Sequence, residues 1–236
     1  MDALRTFLDS PTFLILWIAL MIPSLIWTIH DLRTKNAHLM GLMKLVWSLT
    51  VLYSGPLGVL IYRMTGRKEI ADDGLWRRSF RSVAHCYSGC GMGEIIGVII
   101  AGGLLALGAH WVSVITFLLA YVMGFALTVG PLMQDGVSAR KAFKDALIAE
   151  TPSITVMEVT AIGVSLWLAG GATIGDIRFW TSLIVSLTCG LIAAYPVNVL
   201  LIHLGVKEGM MDPRMTHHGA HGGHEGHQGH GHEVHG

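Results

Sequence analysis

The sequence predicts an all-α integral membrane protein: a six-transmembrane-helix bundle with broken helices and both termini in the cytoplasm. The 236 residues are 52% hydrophobic and only 14% charged, with a mean hydropathy of +0.56, whereas a soluble domain carries about 25% charged residues. The apolar residues form long blocks, and blocks of about 18 or more residues are typical of membrane spans. Lys and Arg are also distributed unevenly between the connecting segments, which predicts an orientation.

Six apolar blocks follow one another with short connections. The predicted spans cover residues 12–29, 42–62, 83–107, 112–129, 153–168 and 179–204. Pro23 is expected to kink the first span, and Gly55-Pro56 to interrupt the second, because proline cannot continue the helical hydrogen-bond ladder. Residues 63–81 form the most charged loop, and residues 134–151 are expected to form a short amphipathic surface helix.

The charge distribution and the composition of the tail complete the predicted architecture. With six spans, twelve of the 16 Lys and Arg residues fall on the side of the two termini and four on the other, which predicts that both termini are cytoplasmic. Residues 1–210 are expected to form the transmembrane domain. Residues 211–236 are expected to be a disordered cytoplasmic tail, because they are rich in Gly and His and have little apolar surface to bury.

The third span carries the most unusual cluster of side chains. Cys86, Cys90 and Glu94 occur at four-residue spacing, and each residue advances about 100° around a helix, so these three share a face. His85 and Met92 point about a quarter turn or more away. Gly89, Gly93 and Gly97 form a ridge of small residues beside this face, which allows a neighbouring helix to approach closely.

Other polar or soft side chains are expected at a similar depth, in the cytoplasmic half of the bundle. They are Met157 and Glu158 in the fifth span, Tyr195 and Asn198 in the sixth, and Met123 in the fourth. Carboxylates inside a membrane are costly and usually face the bundle interior with a partner. The proline breaks in the second and sixth spans are tolerated where they line a cavity or are buried in protein. Several spans therefore converge on one intramembrane site.

The chemistry of this cluster favours a soft metal ion. Thiols and thioethers select ions such as copper(I), and imidazole also suits Zn, Ni and Cu(II). The candidate metal ligands are Cys86, Cys90, Glu94, His85, Met92, Met157 and Glu158; Tyr195, Asn198 and Met123 are expected to line the pathway. The alternative is that both thiols only pack in the core. A redox dithiol is disfavoured, because this helical spacing suits a disulfide poorly.

The tail is a separate candidate for metal binding. Eight of the 13 histidines lie there: His217, His218, His221, His224, His227, His230, His232 and His235. Tracts of this kind chelate Zn, Ni and Cu with little structural demand. The alternative is a dispensable low-complexity tail.

The cluster also resembles the signature of a known family. The residues are His85-Cys86-x-x-Gly89-Cys90-x-x-Gly93-Glu94-x-Ile96-Gly97, with further blocks at Gly55-Pro56, Lys144-Asp145, Ala194-Tyr195-Pro196-Val197-Asn198 and Gly205-Val206-Lys207-Glu208-Gly209-Met210. This pattern resembles a bacterial membrane family catalogued as domain of unknown function 4396. Glu94 is a departure, since Asp is commoner there in the family. The resemblance implies a multi-pass bacterial membrane protein and assigns no activity.

These observations predict a bacterial inner-membrane protein that transports or handles a heavy metal, copper(I) above all, and that is not an enzyme. The expected partners are the lipid bilayer, the metal ion and a metallochaperone, with Zn or Ni as alternative ions at the tail. Nucleic-acid binding is not expected, because 16 basic residues balance 16 acidic ones. The alternatives are a membrane thiol-redox protein that uses Cys86 and Cys90, and a structural or assembly subunit.

Overall fold

The chain folds as a bundle of α-helices. The computed structural model describes residues 2–134, 136–210 and 212–215, and over these residues it contains helices and no strand. The helices are α1 (Asp2–Leu8), α2 (Pro11–Arg33), α3 (Gly41–Ser54), α4 (Pro56–Thr65), α5 (Leu75–Gly97), a π-helix (Val98–Leu104), α6 (Ala109–Gln134), α7 (Ala139–Ala169) and α8 (Ile177–His203). The predicted tail lies outside the described residues, apart from residues 212–215.

Five of the described helices are long and apolar enough to cross a membrane: α2, α5 with the π-helix, α6, α7 and α8. Their outward faces carry large apolar side chains, including Ile15, Leu118, Val159 and Ile192, each more than half exposed. So much exposed apolar surface is unfavourable in water, whereas the hydrocarbon core of a bilayer accommodates it. The helices indicate a membrane protein.

Helices α3 and α4 form a hairpin. Gly55 joins them with φ 54° and ψ −128°, a conformation that favours glycine. A β-carbon on Gly58 would lie 2.8 Å from Val51 Cα, and one on Gly66 would lie 2.4 Å from the Trp47 ring. In one continuous helix Trp47 and Gly66 would be about 28 Å apart along the axis. Helix α4 therefore runs back along α3.

This hairpin corrects the predicted second span, residues 42–62. The predicted break at Gly55-Pro56 is present, but the chain reverses there instead of continuing across. Asp31, in the last turn of α2, anchors the second half of the hairpin. Its carboxylate accepts hydrogen bonds from Tyr62 Oη in α4 (2.8 Å) and from Arg67, just beyond α4 (3.0 Å). The backbone N–H of Lys68 donates to Asn36 Oδ1 at 2.9 Å. Both ends of the hairpin thus lie where α2 ends.

Because α3 and α4 form a hairpin, the first and the last described residues lie at opposite ends of the bundle. Near the N-terminus, Arg5 donates to the carbonyl of Trp167 at 2.8 Å, and the carbonyl of Leu8 accepts from Thr181 at 2.8 Å. At the opposite end of the bundle the carbonyl of Met210 accepts from Arg81 at 3.3 Å. Six crossings would place both termini together, as the sequence predicted. In the structure, the described N-terminal and C-terminal segments lie at opposite ends of the bundle.

Helix α7 differs from its prediction as well. The expected surface helix at residues 134–151 and the expected span at 153–168 form one helix, Ala139–Ala169, which continues through Pro152. A proline removes one hydrogen bond from a helix, and neighbouring helices can stabilise the chain around it. The consequence is that Glu150 lies inside the bundle, where it is 2% exposed.

The predicted glycine ridge is the surface of α5 that packs on α6. A β-carbon on Gly89 would lie 2.8 Å from Gly124 Cα. One on Gly93 would lie 2.4 Å from the Leu119 carbonyl oxygen, and one on Gly97 would lie 2.8 Å from Thr116 Cα. The backbones of α5 and α6 are therefore in direct contact. This close approach holds the polar face of α5 toward α7 and α8.

Candidate functional site

The polar face of α5 lies in the centre of the bundle. Cys86, Cys90 and Glu94 share that face and are 1%, 0% and 3% exposed. Cys86 faces Glu150 of α7, and Cys90 faces Glu158 two turns further along α7. Because the pairs follow the same order on both helices, α5 and α7 run in the same direction. We call these five side chains the polar column.

The level of the column that contains Cys86 and Glu150, which we call the first level, contains a buried ion pair. Lys207 Nζ donates to Glu150 Oε2 at 2.7 Å and to Asn198 Oδ1 at 3.1 Å, and it lies 3.3 Å from Cys86 Sγ. The Cys86 thiol itself donates to Glu150 Oε2 at 2.7 Å. We call Cys86, Glu150, Asn198 and Lys207 the Lys207 cluster. All of its members are almost completely buried.

Lys207 lies beyond the end of α8, on a short segment that folds back into the bundle. Burial lowers the pKa of its amine, but Cys86 and Glu150 more than offset this and raise the pKa above its ordinary value. The amine lies 2.7 Å from Glu150 Oε2, which is the distance of a direct ion pair. It neutralises Glu150 at a depth where an unpaired carboxylate would be costly.

The second level of the column, which contains Cys90, Glu94 and Glu158, is different, because no residue in the described part of the chain forms an ion pair with its carboxyl groups. Glu158 is fully buried beside Cys90. Neither of its carboxylate oxygens makes a hydrogen bond of ordinary geometry with the described residues, and the same holds for Oε2 of Glu94, which is close enough to interact electrostatically with Glu158. The thioether of Met157 is also buried and lies against Gly190 of α8.

Two buried carboxyl groups without partners limit the chemistry of this level. Burying an ionised carboxylate without a partner costs several kcal/mol or more, so such a group is protonated or binds a cation. Two neighbouring carboxyl groups cannot both ionise cheaply unless a positive charge comes between them. Glu94 and Glu158 are therefore suited to hold a proton or a cation beside the Cys90 thiol.

A cavity of about 410 Å³ leads to this level from one end of the bundle. Glu94 lines it together with Thr116 and Ser165, and residues 106–109 and 171–174 line its mouth. The π-helix that follows α5 contributes Val98 and Gly102 to the wall. Such wide turns within helices are often found at functional sites. Glu94 therefore connects the polar column to the end of the bundle where α1 lies.

The other candidate ligands do not all join the column. Neither ring nitrogen of buried His85 makes a hydrogen bond of ordinary geometry to any residue that the structure describes, although the Leu127 carbonyl of α6 lies nearby. Met92 and Met123 are half-buried. Tyr195 stacks on Phe80, with ring centroids 4.0 Å apart, and lines an apolar cavity instead. Asn198 does join, as a member of the Lys207 cluster.

The predicted metal ligands therefore lie at different levels of the polar column or outside it. Within the part of the chain that the structure describes, no group of three or more His, Cys, Asp and Glu side chains forms a ready metal site. Cys86 and Cys90 are free thiols that face different carboxyl groups. All eight tail histidines lie outside the described residues, so their predicted role is untouched by the structure.

Glu150 and Lys207 are the site residues that sequence reasoning missed. The prediction placed residues 134–151 in a surface helix, which left Glu150 outside the bundle. One signal was available: Glu150 precedes Glu158 by the same eight residues that separate Cys86 from Glu94, so both pairs have the spacing of one helix face. Lys207 follows the last span and was counted only as a cytoplasmic charge. No periodicity indicates that it turns inward.

The comparisons with known proteins give one match. The family model described as domain of unknown function (DUF4396) matches residues 75–207. This segment begins with α5 and ends at Lys207, and it includes the whole polar column. No curated protein and no solved structure matches the chain.

Proposed function

The chain belongs to the family described as domain of unknown function (DUF4396), and we propose that it is a cation transporter of the bacterial inner membrane. One observation carries this proposal. Glu94 and Glu158 are buried in the middle of the bundle beside Cys90, no described residue forms an ion pair with them, and a cavity reaches Glu94 from one end. Intramembrane ionisable groups of this kind mark ion pathways and proton relays.

Copper(I) is the cargo that the donor atoms favour. At the second level a thiol and two carboxyl groups lie together, and Met157, the residue before Glu158, is buried against Gly190 of α8. Sulfur ligands select copper(I) over hard cations. A carboxylate neutralises the charge of the ion, and the carboxyl protons that the ion displaces can leave through the cavity. Cys90 and Glu158 are the central ligands in this proposal, with Glu94 at the entrance.

The charge distribution supports an orientation that differs from the six-span prediction. With α3 and α4 as a re-entrant hairpin, only Arg5 and Arg178 of the 16 Lys and Arg residues lie at the end of the bundle that bears α1. The positive-inside rule then makes the opposite end cytoplasmic. The N-terminus and the cavity face outward, and the histidine tail is cytoplasmic. There it collects copper(I) or passes it to a metallochaperone.

The position of residue 35 distinguishes the two topologies. Lys35 is exposed in the connection between α2 and α3, which is cytoplasmic in the re-entrant arrangement and external with six spans. We expect a Lys35→Cys chain to resist a membrane-impermeant maleimide in intact cells and to react after permeabilisation. Leu4→Cys is the matched external position and should react in both cases. Reaction of Lys35→Cys in intact cells would contradict the re-entrant arrangement and support a second span that crosses the membrane.

Copper binding tests the site directly. Purified full chain should take copper(I) from a chromogenic chelator, and Cys90→Ser or Glu158→Gln should each weaken this binding by about tenfold or more. The tail contributes equally to every variant, so it cancels in the comparison. Cys189→Ser is the control for loss of a thiol elsewhere. Binding that is unchanged in both site variants would rule out this level as the copper site.

The thiol-redox alternative has less support. Both Cys86 and Cys90 are almost fully buried, which leaves a partner thiol no access to either sulfur. Each thiol also faces a carboxyl group of α7 rather than the other thiol. That function requires a reducible bond between the two cysteines, which alkylation mass shifts with and without reductant would reveal.

A further inference from the structure

The ammonium group of Lys207 occupies a position that is built like a cation site. Three acceptors surround its Nζ atom: Glu150 Oε2 at 2.7 Å, Asn198 Oδ1 at 3.1 Å and Cys86 Sγ at 3.3 Å. They come from three different helices, α7, α8 and α5. A carboxylate, an amide oxygen and a sulfur form a donor set that binds inorganic cations as well as an ammonium.

We propose that Cys86, Glu150 and Asn198 form a second cation site, which Lys207 fills in this conformation and yields to a monovalent metal ion when its side chain withdraws. The identity of the ion as copper(I) rests on the proposed function. The existence of the site does not, because it depends only on the three donors and on the lysine that they surround.

The three donors are held in place by a further shell of hydrogen bonds. The amide nitrogen of Asn198 donates to Ser153 Oγ at 2.6 Å and to the Ala194 carbonyl at 2.9 Å, which directs the amide oxygen toward Lys207. Ser82 Oγ also donates to that oxygen at 3.0 Å. Support of this kind fixes the orientation of ligands in metal sites. The donors therefore remain in position when the lysine leaves.

Lys207 can leave without unwinding a helix. Helix α8 ends at His203, and Gly205 follows with φ 69°, so Lys207 belongs to an irregular segment. Its neighbours Val206 and Glu208 are exposed. Withdrawal of the side chain costs the ion pair with Glu150, and an incoming monovalent cation replaces that charge. When copper(I) binds, the Cys86 thiol passes its proton to Glu150 Oε2, to which it already donates a hydrogen bond at 2.7 Å, and coordinates as the thiolate, so that the site keeps its net charge.

This arrangement makes Lys207 the closure at the cytoplasmic end of the polar column. The cavity opens the opposite end as far as Glu94, while the described residues around Lys207 seal the near end. An ion held at Cys90 and Glu158 passes to Cys86 and Glu150 only in exchange for the ammonium. The first and second levels are then consecutive stations for the same cargo.

Copper(I) titration of Lys207 variants tests the second site. Lys207→Gln keeps a hydrogen-bond donor beside Glu150 and removes the charge. We expect this full-length variant to bind one copper(I) equivalent more than the parent chain, or to bind with an affinity at least about tenfold higher. The gain should vanish in Lys207→Gln/Cys86→Ser. Lys207→Arg retains the positive charge and should show no gain.

Two results would overturn the proposal: Lys207→Gln without a gain, or a gain that persists when Cys86 is replaced. If the variant is poorly folded, copper(I) should raise its melting temperature in detergent by more than that of Lys207→Gln/Cys86→Ser, and equal shifts would also refute the proposal. The Cys90-dependent binding of the parent chain is measured in the same titration. If that binding is absent, the proposed transport site is refuted. The second site is then judged only by whether Lys207→Gln gains copper(I) binding.

Discussion

Glu158→Gln is expected to reduce cation uptake at least about tenfold without destabilising the fold. Glutamine has the shape of the carboxyl group but neither holds a charge nor releases a proton. The substitution removes the cost of burying a carboxyl group whose oxygens make no hydrogen bond of ordinary geometry with the described residues, so the melting temperature should stay equal or rise. The loss of transport follows because the second level can no longer neutralise a cation.

Initial rates of copper(I) uptake by proteoliposomes measure this effect. Asp145→Asn is the matched control, since Asp145 is an exposed carboxylate on the same helix and its replacement should leave the rate unchanged. Glu158→Gln with normal uptake would show that the carboxyl group of α7 is not part of the pathway. A variant that loses both uptake and thermal stability would instead make Glu158 a structural residue.

Gly93→Ala is expected to have the largest effect on folding. The new β-carbon would lie 2.4 Å from the carbonyl oxygen of Leu119 and 2.5 Å from the backbone nitrogen of Ala120. These are backbone atoms of α6, so no side-chain rotation relieves the clash and the helices must separate. Overpacking of this kind costs about 1–3 kcal/mol or more. We therefore expect a lower melting temperature and a lower yield of folded protein in detergent.

Gly163→Ala is the control for this substitution. A β-carbon at Gly163 in α7 would meet nothing within 4 Å, and alanine favours a helix over glycine by about 1 kcal/mol. Its melting temperature should be equal to that of the parent chain or slightly higher. If Gly93→Ala and Gly163→Ala melt at the same temperature, the close contact of α5 with α6 is not required for stability.

Features that depend on one helix could be predicted from the sequence. The shared face of Cys86, Cys90 and Glu94 and the ridge that contains Gly93 both follow from 3.6 residues per turn. The reversal at Gly55 could not be predicted in the same way. Hydropathy is the same for a span and for a hairpin that dips into the membrane and returns, and Gly-Pro indicates a break but not its angle.

The contacts of the Lys207 cluster were beyond sequence reasoning for a different reason. Cys86 and Glu150 are 64 residues apart in the chain, and Lys207 is 57 residues from Glu150. No local pattern connects such positions. A lysine just past a span normally extends toward the headgroups, and only the packing of the segment after Gly205 shows that this one turns inward.

In the proposed transport function, the two levels of the column differ in what a crossing ion must replace. At Glu158 the ion meets carboxyl groups that lack a counter-ion, and at Glu150 it meets an ammonium that it must replace. For the proposed transporter, an open cavity at one end and an ion pair at the other are what one state of an alternating-access cycle requires. In the proposed transport function, the closed end opens only after Lys207 leaves its position beside Glu150.

Copper(I) uptake by proteoliposomes that contain the purified full chain tests the central claim most directly. The account predicts saturable uptake above that of protein-free vesicles, inhibited by silver(I), which has the same charge and the same preference for sulfur ligands. Uptake equal to that of protein-free vesicles, in a preparation whose folding is verified by its melting transition, would contradict it.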